Sequence, residues 1–148
     1  MRVLSAYFRI FVVGVFLNFV WEMAQAPLYQ PMGTFWHATV RCAMASLGDE
    51  LIIILIALLG SLVSRSPDWW VHSQTRSYVA AAAGGLVIAI VVERWGLDTG
   101  RWTYGSRMPV LPGTDLGLSP LTQMTVLVPL TFYAATIWHG HAKEIDRG

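Results

Sequence analysis

The sequence predicts an all-α, polytopic membrane protein with four transmembrane helices in a bundle and two long loops on the non-cytoplasmic side. Composition is the first sign: of 148 residues, 55% are hydrophobic and 13% charged, whereas soluble domains carry about 25% Asp, Glu, Lys and Arg. Mean hydropathy is +0.51. The second sign is length, because four apolar stretches each reach about 20 residues, enough at roughly 1.5 Å per residue to cross a hydrocarbon core about 30 Å thick. No linker-like segment divides the chain. Residues 1–148 therefore read as a single four-helix domain with spans at about 6–26, 44–64, 77–95 and 119–138.

The first span, Ala6 to Ala26, imitates a leader, since Arg2 and Arg9 precede the apolar run and Ala24-Gln25-Ala26 has a small-x-small pattern. The run is too long for a leader's apolar region, it contains Asn18 and Glu22, and Pro27 would follow the cut. A transmembrane span is the expectation. The second, about Met44 to Ser64, has the apolar heart "LIIILIALLGSLV"; His37 and Arg41 stand four apart before it and would extend the helix upward toward Asp49. In the third, about Ser77 to Trp95, the small residues Ala80, Ala81, Gly84 and Gly85 at i, i+4 spacing let another helix approach closely. The fourth, about Ser119 to Trp138, contains Pro129, which predicts a kink, with the Thr125 hydroxyl one turn earlier to satisfy a freed carbonyl.

An even number of spans puts both termini and the short loop "RSPDWWVHSQTR" on one side, with Arg2, Arg9, Arg65, Arg76, Lys143 and Arg147. Arg41, Arg94, Arg101 and Arg107 lie on the other, so the positive-inside rule, six against four, predicts cytoplasmic termini in an inner (plasma) membrane. The opposite side holds the long loops "PLYQPMGTFWHATVRC" and "GLDTGRWTYGSRMPVLPGTDLGL", where Trp36, Trp95, Trp102 and Tyr104 have an ordinary role as interfacial anchors. Glu22 and Glu93 each close a span and precede a loop with an aromatic and a Met–Pro or Pro–Met pair, the pattern of a parallel repeat of two hairpins.

The polar residues in the spans fall at one depth. Glu22, Asp49, Glu50, Glu93 and Gln123 all lie within about a turn of the non-cytoplasmic ends, and Asn18, Glu22 and Gln25 at i, i+4, i+7 form one stripe that should face the bundle. An acidic residue costs about 2.5 to 3.5 kcal/mol at the membrane centre, and such groups by default mark a functional path. Two outcomes are open. The acids are paired with Arg41, Arg94, Arg101 and Arg107 in a structural cap, or at least two of them act chemically or hold a ligand.

A carboxyl walled by Trp21 and Met23 has its charged form disfavoured and suits the role of proton donor. Aromatic faces stabilise a developing cation, a combination fit for protonating an isoprenoid double bond. Glu22 and Glu93 are the candidate acids and Asp49 their partner; Asn18, Trp21, Trp102, Tyr104 and Gln123 are candidate substrate-binding residues.

The stretch "ERWGLDTGRWTY", followed by "GLSPLTQM", resembles membrane-integral carotenoid cyclases and hydratases, with Glu93, Gly100, Trp102, Tyr104, Pro120 and Leu121 matching their pattern. That resemblance covers less than a third of the chain and implies acid-catalysed chemistry on a carotenoid-like lipid. In the cyclases acidic residues follow the Pro-Leu pair, and here Thr122 and Gln123 stand in their places. The stretch "NFVWEMAQAPLY" resembles the Trp-Glu start of small membrane terpene cyclases, which implies a protonating role for Glu22. Taken whole, the chain is similar to small bacterial multispan membrane proteins, a likeness that implies the architecture and no activity.

Other classes have less support. A net charge of +1 without a basic stripe excludes nucleic acid as an expected partner. His37, His72, His139 and His141 offer no opposed pair for haem or zinc, and single Cys42 makes no internal disulfide, so neither cofactor nor metal is expected. Asp49, Glu50 and His37 would be the oxygen-rich set for Mg or Ca if one were bound. The expected partners are membrane lipid and a lipidic small molecule, with a second copy of the chain or a membrane partner left open. Alternatives from other classes are a noncatalytic membrane subunit that binds lipid or a partner, and a small transporter, against which the inner span halves speak because they lack ionisable residues apart from Arg9.

Overall fold

A computed structural model describes residues 2–30, 33–71 and 75–145. His72, Arg147 and the Pro31–Met32 pair fall outside the described residues, as do the side chains of Arg2, His139, His141 and Lys143. The chain forms four helices: α1 (Arg2–Gln25), α2 (Phe35–Ser64), α3 (Thr75–Asp98) and α4 (Leu118–Ile145). All four are long and apolar enough to cross a membrane. Their outward faces carry Phe8, Phe16, Leu51, Leu62, Val63, Val87 and Val91, all exposed, as a lipid-facing surface requires. This is an all-helical membrane protein.

Helix ends follow local chemistry more than apolarity. Helix α1 stops where Pro27 enters a single 3-10 turn, Ala26–Leu28. Helix α2 begins nine residues before its apolar span, because Thr34 caps it by accepting from the His37 N–H at 3.4 Å. Its far end closes on Arg65 in the left-handed region, φ 54°, two residues before Pro67. Helix α3 ends in a Schellman motif: Arg101 N–H donates to Gly96 O at 2.9 Å and Gly100 N–H to Leu97 O at 3.1 Å, with Gly100 at φ +66°. Gly100 supplies the positive φ that lets the chain turn back toward the bundle.

Helix α1 packs against α2 and α4, and α4 packs against α1 and α3, while α2 and α3 touch much less. The small residues of α3 divide: Ala81 and Gly85 are buried, Gly85 against Met124 and Val128 of α4, whereas Ala80 is exposed and Gly84 faces open space. Pro129 sits inside α4. The Thr125 hydroxyl donates to Leu121 O at 2.7 Å rather than to the carbonyl that Pro129 frees, which on an α-helix is Thr125's own.

The end of the bundle that carries the N-terminus is filled by aromatics. Trp70 stacks on Phe132 at 5.8 Å, Trp69 meets Phe132 edge-on at 5.3 Å, and Tyr7 meets Trp70 at 5.3 Å. Trp69 Nε1 donates to Ala57 O at 3.0 Å and Tyr78 to Trp70 O at 2.9 Å, so Trp69 and Trp70, after the end of α2, pack into the core. Polar residues gather at the other end, where the long loops are.

Candidate functional site

Helix α1 turns its polar stripe inward, and Asn18, Glu22 and Gln25 are all buried. Helix α4 meets it with Gln123 and Ser119, and α2 with Asp49. Gln25 Nε2 donates to Glu22 Oε1 at 2.7 Å and to Gln123 Oε1 at 2.8 Å, and Ser119 donates to Gln25 Oε1 at 2.7 Å. Gln123 Nε2 in turn donates to Asn18 Oδ1 at 3.1 Å and Asp49 Oδ2 at 2.8 Å. Asn18 passes the chain on to Gly14 O at 3.0 Å. The carboxyls of Glu22 and Asp49 lie within hydrogen-bonding reach of each other. Three helices are thus joined by amides that present N–H groups to a pair of carboxyls, and the donors they meet are Gln25 and Gln123, not a cation.

Glu93 belongs to a second group. The Schellman turn after α3 brings "GRWTY" back over the helix end, so that Trp102 Nε1 donates to Glu93 Oε1 at 3.0 Å and the Tyr104 hydroxyl donates to the same oxygen. The Tyr104 oxygen accepts from Gly117 N–H at 2.8 Å, which ties this loop to the start of α4. Two of the residues in the stretch "ERWGLDTGRWTY", Trp102 and Tyr104, therefore close on the Glu93 carboxyl. Trp102 packs against Gly96, where a Cβ would overlap its ring.

Between the two groups stands Tyr29, which no sequence feature singled out. It pairs with Tyr104 through an isolated backbone bridge and an edge-on ring contact at 5.7 Å. Burial pushes the Tyr29 phenol well above its ordinary value, and Glu93, Glu22, Tyr104 and Asp49 push it further. Tyr104 is likewise raised, first by burial, then by its bond to Glu93 and that group's charge, against the opposing Gly117 N–H. Both phenols remain hydrogen-bond donors throughout the ordinary pH range. Tyr29 also lines an open cavity of about 600 Å³ bordered by Pro27, Gln30, Phe35 and Arg107.

Among the described residues no arginine forms an ion pair with Glu22, Asp49, Glu50 or Glu93. Arg94 pairs with Asp98 and Asp115, each at 3.2 Å, on the exposed surface; Arg101 lies over the Trp95 ring at 4.8 Å; Arg107 donates to Pro27 O at 3.4 Å. Trp36 and Trp95 are exposed, as interfacial anchors would be. Trp21 is half-buried, and its Nε1 is enclosed without a hydrogen-bond partner. Cys42 is buried with its thiol donating to Glu22 O at 3.5 Å.

His37 is exposed and bonded to Thr34, away from Asp49 and Glu50, and among the described residues no three His, Cys, Asp or Glu side chains are grouped to hold a metal ion. Glu50, one position from Asp49, points elsewhere: it is fully buried against Gly14 of α1. Sequence depth placed all four acids in one layer, and the fold separates them into a Glu22–Asp49 pair, a Glu93 group and a solitary Glu50. No family model matches the chain, and neither the curated proteins nor the solved structures contain a match to it.

Proposed function

We propose that the protein is an integral membrane enzyme performing acid catalysis on a lipidic, isoprenoid-like substrate at the loop end of its bundle. The observation that carries this proposal is the juxtaposition of the Glu22 and Asp49 carboxyls inside the bundle, held by Gln25 and Gln123, with no arginine or lysine among the described residues bonded to either. Two carboxyls so placed are costly for a membrane helix bundle, and packing alone does not require them.

Glu22 acts as proton donor. Its O–H bond breaks as a C–H bond forms from the π electrons of a substrate double bond, leaving a cation on the neighbouring carbon. The Asp49 carboxylate removes an adjacent proton, completing an isomerisation or ring closure, or water adds and loses a proton, completing a hydration. The ring face of Trp21, next to Glu22 in the chain, suits stabilisation of that cation. Asn18 and Gln123 hold the carboxyls in register, and Glu93, with Trp102 and Tyr104 around it, is a second acid of the same kind.

A noncatalytic subunit that binds lipid or a partner at this end is the second reading. It draws support from the hydrogen bonds that Glu22, Asp49 and Glu93 already make within the chain. A transporter is less well supported, since Trp69, Trp70 and Phe132 fill the opposite end of the bundle. Mass spectrometry of lipids and pigments copurifying with the wild type and with Glu22→Gln separates enzyme from subunit. A chemically converted lipid present with the wild type and lost in Glu22→Gln supports catalysis, a change only in the amount of unconverted lipid supports the subunit, and an unchanged profile with unaltered stability contradicts a ligand role for Glu22.

A further inference from the structure

Arg107 is a cation without an anion. Among the described residues it forms no ion pair, and its hydrogen bond to Pro27 O is long, at 3.4 Å. A guanidinium has five N–H donors, so most of its capacity is uncommitted. The turn that carries it is firmly held. Met108 N–H donates to Gly105 O at 3.1 Å, Met108 is buried, and Gly105 N–H donates to Leu28 O at 2.8 Å. Gly105 comes so near that a Cβ there would stand 3.2 Å from the carbonyl oxygens of Leu28 and Tyr29. The same contacts place Arg107 at the edge of the cavity of about 600 Å³.

That cavity lies between the end of α1 at Ala26, the start of α2 at Phe35 and Ala38, and the Arg107 turn, with Tyr29 on its wall. No Asp or Glu is among the described residues that line it, so its formal charge is positive and it suits an anion. It sits where the helices end, and Phe35 and Trp36 beside it are exposed, as aromatics at headgroup depth are. The anion that a membrane presents at this depth is a lipid phosphate, which a guanidinium grips through two parallel N–H···O bonds. The acid site is close by. Ala26 follows Glu22 by one turn on the same face of α1, about 6 Å along the axis. Tyr29 lies within the fields of Glu93, Glu22 and Asp49.

We infer that this cavity seats the headgroup of the substrate, and that the substrate is a phosphate ester of an isoprenoid-like lipid. Arg107 holds the phosphate, and the chain runs past Tyr29 to bring a double bond to Glu22. No bond to phosphorus changes, because the headgroup serves to select and position the lipid. The inference rests on the acid-catalysis proposal above and adds to it the part of the substrate that is recognised.

The test measures equilibrium binding of farnesyl phosphate to the full chain in phosphatidylcholine nanodiscs, with binding to empty nanodiscs subtracted. Farnesol and inorganic phosphate are the comparison probes. The wild type should hold farnesyl phosphate more tightly than either, by roughly tenfold or more. Arg107→Gln should remove that advantage over farnesol, and Arg107→Lys, which keeps the charge without the planar fork, should fall between. Ala38→Phe fills the cavity from α2, leaves Arg107 in place, and should weaken farnesyl phosphate as well. Arg94→Gln removes an exposed arginine already paired with Asp98 and Asp115 and should bind as the wild type does. Unchanged affinity in Arg107→Gln or Ala38→Phe, or an equal loss in Arg94→Gln, would overturn the headgroup site. Farnesol bound as tightly as farnesyl phosphate would overturn it too, and inorganic phosphate bound as tightly would make this a site for free phosphate instead. Binding is read without turnover, so its outcome is separate from that of catalysis. A wild type that binds farnesyl phosphate through Arg107 yet transfers no deuterium from D2O to any lipid of the expressing cells would keep the headgroup site and lose the acid-catalysis proposal.

Discussion

Gln123 on α4 donates to Asp49 on α2 at 2.8 Å, and the same amide nitrogen reaches Asn18 on α1 at 3.1 Å, so one side chain ties three helices together. Gln123→Ala would take one partner from each of Asp49, Asn18 and Gln25, leaving Asn18 Oδ1 with none while Gln25 keeps Glu22 and Ser119. A buried polar group left unpaired costs about 1–3 kcal/mol, so a loss of that order is expected. Thr122→Ala, at the exposed neighbouring position, should stay within about 0.5 kcal/mol of the wild type. Equilibrium unfolding in detergent compares the two, and equal stabilities would show that the network does not hold the bundle.

Much of this arrangement was legible in the sequence. Hydropathy located the four spans, and the i, i+4, i+7 spacing of Asn18, Glu22 and Gln25 gave the correct inward face. Counting residues from a span end yields depth but not direction around the bundle. That is why Glu93, level with Glu22, proved to belong to a separate group. Adjacent positions on a helix diverge by about 100°, which sends Asp49 toward Gln123 and Glu50 toward Gly14. Hydropathy also misses helix that extends beyond the apolar core, so the first turns of α2 were legible only from His37 and Arg41. Tyr29 and the Trp69–Trp70 pair lay in connections, and nothing local in the chain says that a connection folds inward.

Gly14→Ala should be destabilising by about 1–3 kcal/mol, because the added methyl overlaps the Glu50 carboxyl. Glu50→Ala removes that overlap, so the double variant should recover much of the loss. A double-mutant cycle reads the coupling, expected at about 0.5–3 kcal/mol. Additive effects would mean that Glu50 does not occupy the space beside Gly14.

The raised phenols of Tyr29 and Tyr104 set a pH signature. A group whose value is raised by folding contributes stability that is fully present below its unfolded value, near 10 for tyrosine. That contribution is lost as pH rises through the folded value. Thermal stability of the wild type should therefore fall above about pH 10, and Tyr29→Phe should fall less steeply. Phenolate absorbance offers a second check: the folded wild type and Tyr29→Phe should give the same signal near pH 10. A smaller signal in the variant would show that Tyr29 ionises normally.

The two kinds of tryptophan should separate sharply. Trp70 is 2% exposed and stacked on Phe132, and Trp70→Ala should cost about 3–5 kcal/mol. Trp36 is 70% exposed, and Trp36→Ala should leave unfolding in detergent nearly unchanged. Comparable losses from both would contradict the inward packing of Trp70.

Deuterium transfer in D2O tests the Glu22–Asp49 proposal most directly, because protonation of a carbon–carbon double bond leaves a C–D bond in the product. Wild type, Glu22→Gln and Asp49→Asn would be reconstituted with lipid extracted from the expressing cells, and the lipids followed by mass spectrometry. The account predicts a lipid species that gains deuterium with the wild type and loses that gain, by roughly a hundredfold or more, in both variants. Equal labelling by wild type and variants, or no labelled lipid with folded wild type, would contradict it.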